Sequence, residues 1–109
     1  MTDKLVVFST CATAEEAERI GRHLVESRLA ACVAVSAEQK SIYHWKGAVE
    51  DSREWGLAIK TTRGLFAELR RELCRMHSYE VPELLAVVVI DGNADYLEWM
   101  DRELKQPAE

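Results

Sequence analysis

The chain has 109 residues and a formal net charge of -5, and 48% of its residues are apolar. That length fits one domain over residues 1–109, small enough for oligomerisation to add usefully to its stability. The acidic balance argues against a nucleic-acid or anionic-membrane partner, because phosphate binding is driven mainly by Lys and Arg.

The opening apolar run, Leu5–Phe8, is too short for the core of a secretory signal. No run approaches the ~18–20 apolar residues of a membrane span, so no membrane partner is expected. The three cysteines, Cys11, Cys32 and Cys74, are odd in number and widely spaced. They predict free thiols and a reducing cytoplasm rather than a disulfide framework.

In chain order, "KLVVFSTC" (4–11) is rich in β-branched residues and reads as a strand. "TAEEAERIGRHLVESR" (13–28) is a helix. Thr13 and Glu16 have capping-box spacing, and Ala17, Ile20, Leu24 and Val25 share one face. "LAACVAV" (29–35) and "SIYHW" (41–45) are strand pieces, and the polar "SAEQK" between them predicts a kink or bulge. Gly47 marks a hairpin turn and "REWGLAIKT" (53–61) the return strand. A second helix covers 62–76, with Leu65, Phe66, Leu69, Leu73 and Met76 as its buried stripe. "ELLAVVVI" (83–90) is a continuously apolar strand. Asn93 then caps a last helix through "YLEWMDREL".

The order strand–helix–strand–strand–helix–strand, plus one helix, predicts an α+β fold. It is the ferredoxin-like split βαβ sandwich with an antiparallel sheet, a long central hairpin and an extra C-terminal helix. Two features do not suit a monomer. The fourth strand takes a sheet edge in this topology, yet it is the most apolar segment, and a bare edge of that kind aggregates. Residues 29–45 as strand would also reach roughly 50 Å, against about 24 Å for the first helix. The overhang carries Ile42, Tyr43 and Trp45, so a homo-oligomer built through sheet edges and hairpins is expected.

Ionisable residues cluster at the mouth of the fourth strand. His77 follows the last turn of the second helix, where the dipole favours a protonated imidazole. Tyr79, Glu80 and Glu83 flank Pro82, which forces an extended chain at Val81. Such a mouth suits a small-ligand or cation site, although Glu80 and Glu83 are equally consistent with a solvated rim. Lys60 ends an apolar strand within reach of Glu54 or Glu83 across a cleft, as a structural ion pair. Trp45 and Trp55 read as interface aromatics and Trp99 as helix-to-sheet packing. Cys32 reads as core, Cys74 as partly buried, and Cys11 as a small buried hydrophobe or a ligand.

"ESRLAACV", "SIYHWKG", the strand from Glu54 to "IKTT", "HSYEVPELL" and "DYLEWM" together resemble, in order and spacing, the CutA divalent-cation tolerance family. The likeness runs from about Val7 to Leu104. It implies a compact cytoplasmic homotrimer with a cleft between subunits, no enzymatic activity, and a link to copper or another divalent cation. The family's first-strand cysteine, credited as a copper ligand, falls on Ser9; Cys11 lies two residues on and shares its face. The resemblance therefore points to Cys11 and His77 as the metal pair, a soft donor set suited to Cu(I). A second family histidine is replaced by Met76. The proline after the loop histidine is replaced by Ser78, which predicts a less rigid loop.

Other readings compete. A PII-like sensor of the same trimeric plan would bind a nucleotide or small anion between subunits, using Arg53, Lys60 and Arg63. An acylphosphatase needs an arginine in the loop after the first strand, and "STCATAEE" has none.

Overall fold

The computed structural model describes residues 1–108. Seven elements follow in chain order: β1 (Lys4–Cys11), α1 (Ala14–Glu26), β2 (Cys32–Trp45), β3 (Ala48–Thr62), α2 (Arg63–Met76), β4 (Leu85–Val88) and α3 (Ala94–Glu103). The strands form one antiparallel sheet in the order β2-β3-β1-β4. This is the α+β, ferredoxin-like arrangement read from the sequence, with β4 at an edge.

The helical stripes cover one face of the sheet. Ala17, Ile20 and Leu24 of α1, and Leu65, Leu69 and Leu73 of α2, are fully buried with Leu5, Val7, Leu57 and Ile59. Each such aliphatic side chain contributes about 1.5–3 kcal/mol on leaving water. Gly21 lets α1 approach β2 closely, since a Cβ there would stand 3.1 Å from Val33 Cγ1. Thr13 Oγ1 accepts from the Glu16 N–H at 3.1 Å, as the capping spacing predicts. The reciprocal half of the box is absent. The Glu16 carboxylate instead takes the Ala12 N–H at 3.4 Å and two donors from Ser78.

Strand limits differ from the sequence reading in four places, the first being β3, which starts at Ala48 rather than Arg53. Leu29–Ala31 are not strand. The chain turns at Arg28, which has a positive φ of 61°, and Leu29 and Ala30 donate back to the Leu24 carbonyl. The polar segment after Val35 is strand, with a register shift between Val35 and Glu38. At this bulge Ser36 Oγ takes the Gly56 N–H at 2.7 Å, replacing the lost ladder bond. β4 is only four residues long, and Leu85 and Val87 turn out to solvent at 61% and 51% exposure.

The other face is covered at one end only. There α3, capped by Asn93 accepting from the Asp95 N–H, sets Asp101 2.9 Å from the buried Lys4 ammonium. Trp99 packs against the core as expected. Cys32 is half-buried rather than core, and Cys74 is exposed rather than partly buried. Cys32 points to the partly open face, and Cys74 lies off the Leu65–Leu69–Leu73 stripe.

The hairpin outruns the rest of the sheet. The last rung between β1 and β3 is Cys11 with Trp55. Beyond it Gln39–Trp45 and Ala48–Glu54 pair only with each other, a two-stranded arm of roughly 20 Å. Lys46 and Gly47 close it with φ of 50° and 83°, the left-handed pair of a type I′ turn. Gly47→Ala should therefore lower stability by about 1–2 kcal/mol, read as a lower midpoint in chemical denaturation. An unchanged midpoint would show that the turn does not hold this conformation in solution.

Candidate functional site

Where α2 ends, the chain meets the open end of β1. His77 is extended, with φ -73° and ψ 141°, and its side chain turns inward against Cys11. The Tyr79 N–H donates to His77 Nδ1 at 3.0 Å. The hydrogen of the neutral ring is therefore on Nε2, which donates to the Thr10 carbonyl at 2.7 Å. Cys11 Sγ lies 3.8 Å from the same nitrogen. Sequence reasoning thus paired Cys11 and His77 correctly in space, but their chemistry differs from both readings offered for them. His77 is a buried neutral imidazole rather than a helix-end charge, so the 3.9 Å approach of Glu16 Oε2 to Nδ1 is not an ion pair.

This pair does not fit a copper site as arranged. Both ring nitrogens are committed to backbone partners. Burial, with the nearby Glu16 and Glu54 carboxylates, pushes the Cys11 thiol up to about 12, so it keeps its proton at neutral pH. Among the described residues no three His, Cys, Asp or Glu side chains converge as a metal cluster.

The following loop is tied at four points. Ser78 donates to the Glu16 carboxylate through its N–H at 2.7 Å and its Oγ at 3.0 Å. A proline could make neither bond, so Ser78 has two charge-assisted hydrogen bonds where a proline would have a fixed backbone angle. Ser9 Oγ donates to the Glu83 carbonyl at 2.7 Å. Tyr79 Oη donates to Glu54 Oε2 at 2.7 Å. Burial and the Glu54 carboxylate raise the Tyr79 phenol, which keeps it a donor.

Between this loop and the hairpin arm lies a groove of about 820 Å³. Its floor is Thr10, Glu54 and Tyr79; its walls are Tyr43 and Trp45 on one side, Glu80 and Glu83 on the other. Strand alternation puts Ser41, Tyr43 and Trp45 on the face that Glu54 and Ser52 share, as the rungs Gln39–Glu54 and Ser41–Ser52 show. Glu54 is buried, while Glu80 and Glu83 are exposed.

Two expected members stand elsewhere. Lys60 lies six residues along β3 from Glu54, roughly 20 Å away, and pairs with neither Glu54 nor Glu83; its Nζ is 3.6 Å from Cys32 Sγ. Trp55 is half-buried against the core on the helix-covered face, unlike the exposed Tyr43 and Trp45. Sequence reasoning missed Thr10, Ser41 and Ser52, which period-two alternation along the hairpin could have grouped. It also missed Glu16 as a loop anchor, because cap spacing explained that residue fully.

Two outcomes follow from the clamp. His77→Ala strands the Thr10 carbonyl and the Tyr79 N–H, and should cost about 2–4 kcal/mol in urea denaturation; an unchanged midpoint would show the clamp to be dispensable. Burial raises Glu16, but opposing contacts led by the Ser78 N–H and Oγ donors outweigh it and leave the carboxyl below its ordinary 4.5. A depressed carboxylate lends stability that is complete well above 4.5 and is lost as pH falls from there through its folded value. Glu16→Gln should flatten that acid limb of melting temperature against pH. An unaltered limb would assign it to other carboxylates.

Comparison with known proteins gives a consistent result. Residues 5–103 match the model of the CutA1 divalent ion tolerance protein family. The divalent-cation tolerance protein CutA of Thermus thermophilus is 41% identical over 95 residues, covering 87% of this chain and 92% of that one. The crystal structure of CutA from Xylella fastidiosa superposes with a TM-score of 0.93 at 39% identity, covering 95% of this chain and all of the other. A structure from Archaeoglobus fulgidus, described as a periplasmic divalent cation tolerance protein, superposes with a TM-score of 0.90 at 36% identity over 94% and 99% of the two chains. With a family match over nearly its whole length and the same fold, this chain belongs to the CutA1 divalent ion tolerance family.

Proposed function

We propose that the protein is a non-enzymatic, homotrimeric binding protein of the divalent-cation response. Its ligand, a divalent cation or a small molecule carrying one, occupies the groove between the hairpin arm and the 79–83 loop. The observation that carries this reading is the hydrogen-bonded pair of the buried Glu54 and the half-buried Tyr79, at the floor of a groove whose outer wall is exposed aromatic surface. Glu54, Glu80, Glu83 and the hydroxyls of Thr10, Ser41 and Ser52 are hard oxygen donors, which suit calcium, magnesium or manganese better than copper(I).

Assembly supplies what one copy lacks. Tyr43 and Trp45 on one side of the arm, and Ile42 and Val49 on the other, are 42–70% exposed. Phe8, Leu85 and Val87 add apolar area on the open face of the sheet. A surface of this extent needs a partner, and a second and third copy of the chain are the partner we propose. Apposed copies would bring acidic rims together, giving a cation more carboxylates than one chain provides. The nucleotide-sensor alternative has less support. No Lys or Arg lines the groove, and Arg53 is engaged with Glu38 at 3.2 Å. We place the protein in the cytoplasm on its three free thiols; cell fractionation tests this against the periplasmic description of the Archaeoglobus relative.

Sedimentation equilibrium at micromolar concentration should return three times the chain mass, and Trp45→Ala should weaken assembly. A folded monomer would overturn the proposal. Millimolar calcium, magnesium or manganese should raise the melting temperature of wild type, by mass action on the folded trimer, and not that of Glu54→Gln; equal responses would remove the groove from the reading. Copper(I) affinity in a chelator competition should be the same for Cys11→Ser as for wild type, and a large loss would restore the Cys11–His77 pair as a metal site.

A further inference from the structure

A second cluster of reactive side chains lies at the other end of the sheet. Cys32 and Lys60 are direct cross-strand neighbours, and Lys60 Nζ lies 3.6 Å from Cys32 Sγ. Tyr96 of α3 brings its Oη to 3.6 Å from the same sulfur. Lys60 is half-buried, yet among the described residues no carboxylate lies within ion-pair distance of it. A partly desolvated ammonium without a carboxylate is costly unless something nearby carries negative charge. Among the described residues the one side-chain hydrogen-bond contact of its ammonium is to a thiol, whose conjugate base is an anion. The Cys32 contact and burial raise the Tyr96 phenol, so it remains a hydrogen-bond donor.

Cys32 itself is only half-buried, so its sulfur is not sealed from solvent as Cys11 is. A groove of about 290 Å³, bordered by Phe8, Ala34, Gly56 and Ala58, begins two rungs away on the same face, at the Ala34–Ala58 pair. The other two cysteines lack this setting. Cys11 is sealed in the core, and Cys74 is exposed with no hydrogen-bond partner among the described residues.

We propose that Cys32 is a covalent modification site for small anionic soft electrophiles, with Lys60 and Tyr96 stabilising its thiolate. In the step, the thiol proton leaves to water and the sulfur lone pair forms an S–C bond to the electrophilic carbon. With an α-halo carboxylate the halide departs with its bonding pair. With an α,β-unsaturated carboxylate the alkene pair moves to the α-carbon, which water then protonates. Lys60 holds the charge of the thiolate and of the incoming carboxylate, and Tyr96 donates to the sulfur.

The test is alkylation of the folded, assembled protein at neutral pH with iodoacetate and, separately, iodoacetamide, followed by peptide mapping of each cysteine. Cys32 should be carboxymethylated, with a larger iodoacetate-to-iodoacetamide rate ratio than in Lys60→Gln. That variant should also lose about tenfold in rate at Cys32, with Cys74 unchanged, while Tyr96→Phe should lose less. Cys11 reports on folding, since it stays unlabelled while the core is intact. If Lys60→Gln exposes Cys11, Lys60→Arg replaces it and should keep the ratio near wild type. A Cys32 that stays unlabelled in the folded protein would overturn the proposal. So would a rate and ratio unchanged by Lys60→Gln, or a ratio lost in a folded Lys60→Arg.

Discussion

The geometry of the groove depends on one buried imidazole. His77 joins the first strand to the loop after α2 by accepting from the Tyr79 N–H and donating to the Thr10 carbonyl. Both backbone groups are thereby satisfied away from water, where an unpaired one would cost about 1–3 kcal/mol. Because Tyr79 is held two residues from His77, its phenol reaches Glu54 across the groove floor. Remove the ring, and the loop, the phenol and the carboxylate have no common reference point.

Two serines complete the clamp, one on β1 and one in the loop. Ser9 fixes the Glu83 carbonyl and Ser78 fixes itself to Glu16. Each anchor comes from an element that packing already immobilises, β1 in one case and the first turn of α1 in the other. The loop is therefore held by charge and hydrogen bonds where a ring-locked backbone angle would otherwise hold it. One consequence is a dependence on the ionisation of Glu16 that a proline would not bring. Another is that the acidic edge at Glu80 and Glu83 stays in place without spending either carboxylate on structure: both are exposed, and only the main chain of Glu83 is bonded.

The arm and the open face leave apolar surface uncovered in a single copy. The molecule is 44 Å long and 25 Å across, elongated by a hairpin that no helix of its own covers. Apolar side chains stand on both sides of that arm, so a single flat partner cannot bury them. A closed ring of identical copies can, because each arm then meets two neighbours. The groove is built against the same arm, so ligand binding and assembly would share one surface. The Cys32–Lys60–Tyr96 cluster lies at the opposite end of the sheet and draws on α3 instead.

The sequence by itself determined the element order, the ferredoxin-like class, the two helical stripes and the bulge after Val35, because these follow from periodicity, caps and turn residues within short windows. The pairing of Cys11 with His77 came from the family resemblance rather than from these patterns. Tertiary structure decided what those residues do. Whether His77 is a charge, a ligand or a neutral bridge depends on the Thr10 carbonyl and the Tyr79 amide, and only the packed loop places both on its ring. Lys60 showed the same limit in reverse. Its strand position was legible, but the six-residue offset from Glu54 and the Cys32 sulfur opposite it are matters of register, which pairs residues 28 apart in the chain. Hydrophobic pattern fixes which face a strand residue takes, whereas its partner is fixed by how two distant strands slide past one another, and that is settled by the whole core at once.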